Sequence, residues 1–165
     1  MTDAEPRWLD EAEMQAWLRL LRLVMLLPGA LDRQLRQDAG LTHASYMVLA
    51  CLSDAPDRSM RMSELARVTA TSQSRLSHAV AALEQRGWVQ RRPCPQDRRG
   101  QLASLTDAGV QVLVETAPGH AEEVRSLVFD PLGPAEVAQL SSIAARIVGR
   151  LEAGQDRERG GPGSG

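Results

Sequence analysis

A chain of 165 residues, 43% of them hydrophobic, is long enough to build one domain around its own core, and with only 3% aromatic residues that core must be mostly Leu, Val, Ala and Met. Two cysteines, Cys51 and Cys94, are too few for a disulfide scaffold and match no metal-ligand spacing, so a reducing compartment is expected and neither metal nor cofactor is. The net charge is −2, the N-terminus opens on acids rather than on a basic leader, and the most apolar stretch, "WLRLLRLVMLL", has 11 residues with two arginines, short for a bilayer span. A cytoplasmic protein with no membrane partner is expected.

Residues 8–37 read as one long helix, with Trp17, Leu20, Leu21, Val24, Leu27, Leu31 and Leu35 recurring at three- and four-residue steps. Leu18, Leu23, Met25 and Leu26 fill much of its other side, so more than one face needs cover. Pro28-Gly29 should kink it. "LTHASYMVLACLSD" (41–54) is the next helix, capped by Thr42, and a polar loop with Pro56 follows it. A short helix at about 63–68, capped by Ser63, precedes a helix capped by Ser72 that ends at Arg86, where Gly87 supplies a left-handed stop. Leu76, Val80 and Leu83 share the inner face of this helix, whereas Ser74, His78, Ala81 and Gln85 lie outside, flanked by Arg75 and Ser77. "WVQRR" and "QLASLT" alternate apolar and polar residues across "PCPQDRRG", which predicts a hairpin with two arginines at its tip. Thr106 caps a further long helix interrupted by Pro118-Gly119, and a last helix begins at Pro134. The Gly-rich stretch "EAGQDRERGGPGSG" reads as disordered.

Charge is spread unevenly along these elements. Residues 58–99 hold nine arginines and three acids, a balance of +6, inside a chain of net charge −2 that contains no lysine. A basic block of this kind points to a polyanion. Short helix, tight turn, helix with a polar outer face and arginine-tipped hairpin follow one another in the order of a winged helix-turn-helix. The fold class expected is therefore mainly α with a small antiparallel β-hairpin wing. Ser72, Gln73, Ser74, Arg75, Ser77 and His78 occupy the first turns of the second helix, short enough to meet base edges in a major groove. Arg98 and Arg99 on the wing suit the negative potential of the adjoining minor groove.

"MSELARVTATSQSRLSHAVAALEQRGWVQR" resembles the helix-turn-helix of the MarR family of transcriptional regulators, and "DRRGQLASLTDAG" resembles its wing signature. The likeness runs over about residues 10–151. It implies a disordered segment 1–8, a single MarR-like domain 9–151 and a disordered tail 152–165. Within that domain, 9–40 and 106–151 would be dimerisation helices and 41–105 the DNA-binding head. It also implies that Asp97 braces the wing turn, Arg99 enters the minor groove and Arg98 lies near phosphate. The implied protein is no enzyme but a homodimer on a pseudo-palindromic double-stranded operator, usually a repressor, released by a small lipophilic or phenolic effector. Thr42, His43 and Tyr46 fall where the family's effector pocket lies, although a structural role suits them as well. Ala70 departs from the glycine often found in such turns.

Two other readings stay open at this point. A winged-helix module for protein contacts would turn the same basic block toward an acidic partner. A redox sensor would use Cys94, expected to be exposed between Pro93 and Pro95 beside the wing, though no resolving cysteine is evident. Cys51 falls on the apolar side of its helix, and His43, His78 and His120 lack metal-type spacing.

Overall fold

Asp10 and Glu13 form a capping box: the Asp10 carboxylate accepts from the Glu13 N–H (2.8 Å) and the Glu13 carboxylate from the Asp10 N–H (3.0 Å). From it, α1 runs Glu11–Ala39 in the computed structural model of the chain, which describes residues 6–94 and 97–159 and, of these, leaves the side chains of 97–99, 155, 156, 158 and 159 outside the description. The helix passes through Pro28 without breaking and stops at Gly40 in the left-handed region (φ 62). Its C-terminal half is anchored by buried Leu31 and Leu35, which helps offset the hydrogen bond lost at proline.

The remaining elements are α2 (His43–Asp54), β1 (Ser59–Arg61), α3 (Met62–Val68), α4 (Gln73–Gln85), β2 (Val89–Cys94), β3 (Asp97–Leu105), α5 (Asp107–Val124) and α6 (Pro134–Arg159). Thr42 caps α2 through the Ser45 N–H, and Thr106 Oγ1 accepts from the Gly109 N–H at the start of α5, both as the sequence predicts. Helix α5 also continues through Pro118. The start of α3 differs from expectation. It begins at Met62 after Arg61, with no side-chain cap, and Ser63 lies inside the helix. Ahead of it stands β1, a strand the sequence does not predict, which pairs with β3 to give an antiparallel sheet of order β1-β3-β2.

The chain divides into two compact units at Glu123/Val124. In the first, Leu35, Leu49, Leu52, Leu65, Leu76, Val80 and Val89 build one core from α1, α2, α3, α4 and the sheet, and Trp88 packs partly buried against it. The second unit begins with a π-helical turn, Arg125–Phe129, and consists mainly of α6. Pro134 stands at the first helical position as expected, while α6 reaches Arg159, eight residues into the stretch from 152 that composition marks as disordered.

The N-terminal half of α1 is far less covered than the head, with Val24, Met25 and Leu26 at 60, 78 and 60% exposure. By length and composition α1 would suffice to cross a bilayer: an 18-residue window has a mean hydropathy of 1.3 and 6% of it is buried. The continuous helix is thus longer than the 11-residue apolar run suggested.

Candidate nucleic-acid interface

The turn before α4 is built by short backbone links. Thr69 Oγ1 donates to the Leu65 carbonyl at 2.7 Å, and the Thr71 N–H reaches back to the Ala66 carbonyl at 3.0 Å. Ala70, between them, sits at φ 48, a region a β-carbon disfavours. The departure from glycine noted in the sequence therefore falls on a residue that adopts glycine-like geometry. Ser72 then caps α4, its Oγ accepting from the Arg75 N–H at 3.3 Å.

Helix α4 divides cleanly into two faces. Leu76, Val80 and Leu83 are at most 1% exposed, whereas Ser72, Gln73, Ser74, Arg75, Ser77 and His78 are all exposed. The six residues assigned to base reading are thus all open to solvent around the first turns of α4, with Arg75 in no ion pair among the described residues. Arg67, on α3, is exposed as well.

The wing is longer than the predicted hairpin, since β2 extends to Cys94 and β3 begins at Asp97. Its register moves from Pro93↔Gln101 to Cys94↔Asp97 in one step, so 98–100 form a bulge with no counterparts on β2. Arg98 and Arg99 thus belong to this bulge beside the hairpin end. The side chains of Asp97, Arg98 and Arg99 lie outside the described residues. Cys94 corrects an expectation: at the last position of β2 it is 6% exposed, buried rather than open to solvent.

Several of the arginines that make the block basic are committed internally. Arg58 Nη1 donates to Asp107 Oδ1 at 3.0 Å, and Arg92 Nη2 to Ser104 Oγ at 2.8 Å. Arg86 lies over the Trp88 ring, 4.8 Å from its centre. Arg91 is held by Glu84. Sequence could not separate these from Arg67 and Arg75, because the partners come from other elements. Glu84 is already among the three acids of the block and Ser104 and Trp88 are neutral, so these contacts leave the balance of +6 nearly intact and fix where the guanidinium groups sit.

His43 and Tyr46 take part in a joint between α1, α2 and α5, while Thr42, among the described residues, bonds only within α2 as its cap. The His43 N–H donates to Asp32 Oδ1 (2.9 Å), and the His120 ring lies 4.3 Å from Tyr46 and 5.8 Å from His43, centre to centre. His120 Nδ1 is 3.1 Å from Gln34 Oε1. Burial pushes the pKa of His43 down against the opposing pull of Asp32. His120 is lowered first by burial and then by the charge His43 would carry, with Glu123 acting the other way. Burial raises the Tyr46 hydroxyl. Beside this joint, a cavity of about 210 Å³ is lined by Asp38, Ala39, Trp88, Val112, Glu115, Thr116 and Gly119. Among the described residues, no three His, Cys, Asp or Glu side chains are grouped as a metal site would require.

The arrangement has clear relatives. Residues 39–100 match the model of the MarR family. Sco3205 from Streptomyces coelicolor, a MarR family regulator whose crystal structure is in complex with DNA, is 47% identical, with 88% of this chain and 91% of that one aligned at a TM-score of 0.83. AbsC, a MarR family regulator from the same organism, is 37% identical over 90% of this chain and 99% of its own, at a TM-score of 0.82. The transcriptional repressor MprA of Escherichia coli is 29% identical over 68% of this chain, which spans 64% of the length of MprA. The chain belongs to the MarR family of transcriptional regulators.

Proposed function

We propose that this protein is a sequence-specific repressor that binds a two-fold symmetric operator in duplex DNA as a homodimer. The observation that carries the reading is the two-faced α4, with an apolar stripe sealed in the core and a polar, acid-poor surface turned outward at its N-terminal end. Ser72, Gln73, Ser74, Arg75, Ser77 and His78 would read base edges in the major groove, Arg99 would enter the adjoining minor groove, and Arg98 and Arg67 would meet phosphate. Asp97 would brace the wing turn. The DNA complex of Sco3205 supports this use of the fold.

The exposed apolar rows of α1 and α6 support the dimer, since surface of this extent is rare on a protein that works alone. Two-fold symmetry would set the reading helices about 34–36 Å apart, one turn of DNA. Release by a small effector is the remaining part of the proposal. The cavity beside the His43–Tyr46–His120 joint, lined by Trp88 and Val112, would take a small lipophilic body, while Asp38 and Glu115 make it a poor seat for an anion.

Selection of bound sites from random duplex DNA tests the reading. The expected product is a two-fold symmetric motif, bound with an affinity that falls about 10³-fold or more between about 50 and 200 mM salt. Arg99→Ala should weaken that binding strongly with the dimer intact. Enrichment of no motif, or unchanged operator affinity in the variant, contradicts the regulator reading or the wing assignment respectively. A basic face built for an acidic protein partner would give the first of those results.

A further inference from the structure

Glu84 is the sole acid of α4 and follows Ser77 by seven residues, two helical turns, so it lies on the same stripe of the helix as the reading face. An uncompensated carboxylate there, about 10 Å along the axis from Ser77, would oppose a phosphate backbone. Both of its oxygens turn to the wing instead. Oε1 accepts the backbone N–H of Arg91 at 2.8 Å, and Oε2 accepts from Arg91 Nε at 2.6 Å. The two side chains are only 27 and 32% exposed, so solvent screens the pair less than it would an open surface ion pair.

The place of this contact matters. β2 is an edge strand, paired with β3 on one side only, and Arg91 is its third residue, opposite Ala103. Its N–H is therefore one of the groups an edge leaves without a sheet partner. Between Glu84 and Arg91 the chain reverses through Gly87, at φ 72, and the Gly87 N–H returns to the Glu84 carbonyl at 2.9 Å. Glu84 thus closes a loop that joins the end of α4 to the root of the wing, with the bulge of Arg98 and Arg99 further out on the same hairpin.

We propose that Glu84 is the positioning residue that fixes the wing to the recognition helix: by holding the Arg91 backbone and guanidinium together, it sets the angle at which helix and wing address neighbouring grooves and withholds its own charge from the DNA. The proposal rests on the reading of α4 and the wing as a DNA-contacting pair. Trp88 under Arg86 packs the same turn against the core. Arg91 is accordingly a structural partner of Glu84, despite its place in the basic block.

The test uses the duplex recovered by selection with the unaltered protein, and compares Glu84→Ala, Glu84→Gln and Arg91→Ala. Glu84→Gln keeps an acceptor for the Arg91 N–H and loses the charge. Operator affinity should fall at least tenfold in Glu84→Ala and less in Glu84→Gln, while affinity for random duplex changes less than threefold. Hydroxyl-radical footprints should lose protection in the minor groove under the wing and keep it across the major groove under α4. Arg91→Ala, which keeps the backbone N–H, should lose less than Glu84→Ala, and the double variant should be no worse than Glu84→Ala. Operator affinity within twofold of the unaltered protein in Glu84→Ala, or an even loss on operator and random DNA, overturns the proposal and leaves the DNA-binding reading standing. No complex with the unaltered protein overturns both.

Discussion

The head and the terminal helices use apolar residues in opposite ways. In the head, Leu76, Val80 and Leu83 are sealed against Leu49, Leu52 and Leu65, and the polar face of α4 is left outside. In the N-terminal half of α1 and along α6 the apolar residues are themselves outside, with Val24 and Leu151 60 and 62% exposed. The first region is complete within one chain, whereas the second has its apolar rows ready for another surface. The proposed function would use the first as a mount for α4 and the second as contact surface for another copy.

Gly109 offers the sharpest way to break the closed region. A β-carbon there would lie 2.2 Å from the Trp88 carbonyl oxygen and 2.6 Å from Leu105 Cδ1, and a backbone oxygen cannot step aside cheaply. Gly109→Ala should cost about 3 kcal/mol or more in urea denaturation, in the range of severe core overpacking. A cost below about 1 kcal/mol would show that α5 can shift freely against the wing root.

The open region should respond in a different currency. Val24→Asp combined with Leu26→Asp places charges on residues already exposed in one chain, so the head should keep its far-ultraviolet circular dichroism. If a second copy covers the row, burying those charges costs about 3 kcal/mol or more and sedimentation should show a monomer. An unchanged mass would remove α1 from the interface.

Local capping made much of this comparison legible in the sequence. Thr42, Ser72, Thr106 and Gly87 act within a few residues of themselves, and each stands where its residue type predicts. What sequence missed depends on distant partners. β1 has only three residues and exists because Ser59–Arg61 meets Leu102–Ser104. Cys94 is buried at the far end of β2, and Glu84 finds Arg91 only after the chain has turned at Gly87. At Pro28, where the sequence predicts a kink, α1 runs on as one helix, with Leu31 and Leu35 buried beyond it.

The joint where α1 meets the head should make stability depend on pH. His43 and His120 are both held below the ordinary histidine value of about 6.5, chiefly by burial, so the folded chain binds their protons less readily than the unfolded one. Their contribution is complete above that value and is lost as pH falls through it toward the depressed folded values. Asp32, lowered by its hydrogen bonds from Arg36 and the His43 N–H, contributes a separate loss only at more acidic pH. Urea midpoints should thus drop from about pH 7.5 to about pH 5.5, and His120→Gln should flatten the dependence. An equal slope in the variant would place the proton uptake elsewhere.

The smallest effect concerns the turn that aims α4. Ala70 holds φ 48, and Ala70→Gly removes the β-carbon strain at some cost in unfolded-chain entropy. A net gain of up to about 1 kcal/mol in denaturation is expected, with operator affinity unchanged. A loss of stability would mean that this alanine is not strained.

Repeating the selection from random DNA with Arg75→Ala probes the outward face of α4 most directly. The account predicts that preference is relaxed at one base pair in each half-site, with half-site spacing unchanged and a cost of about 1–3 kcal/mol on the original operator. An identical motif from the variant, or a uniform loss on every sequence, would contradict it.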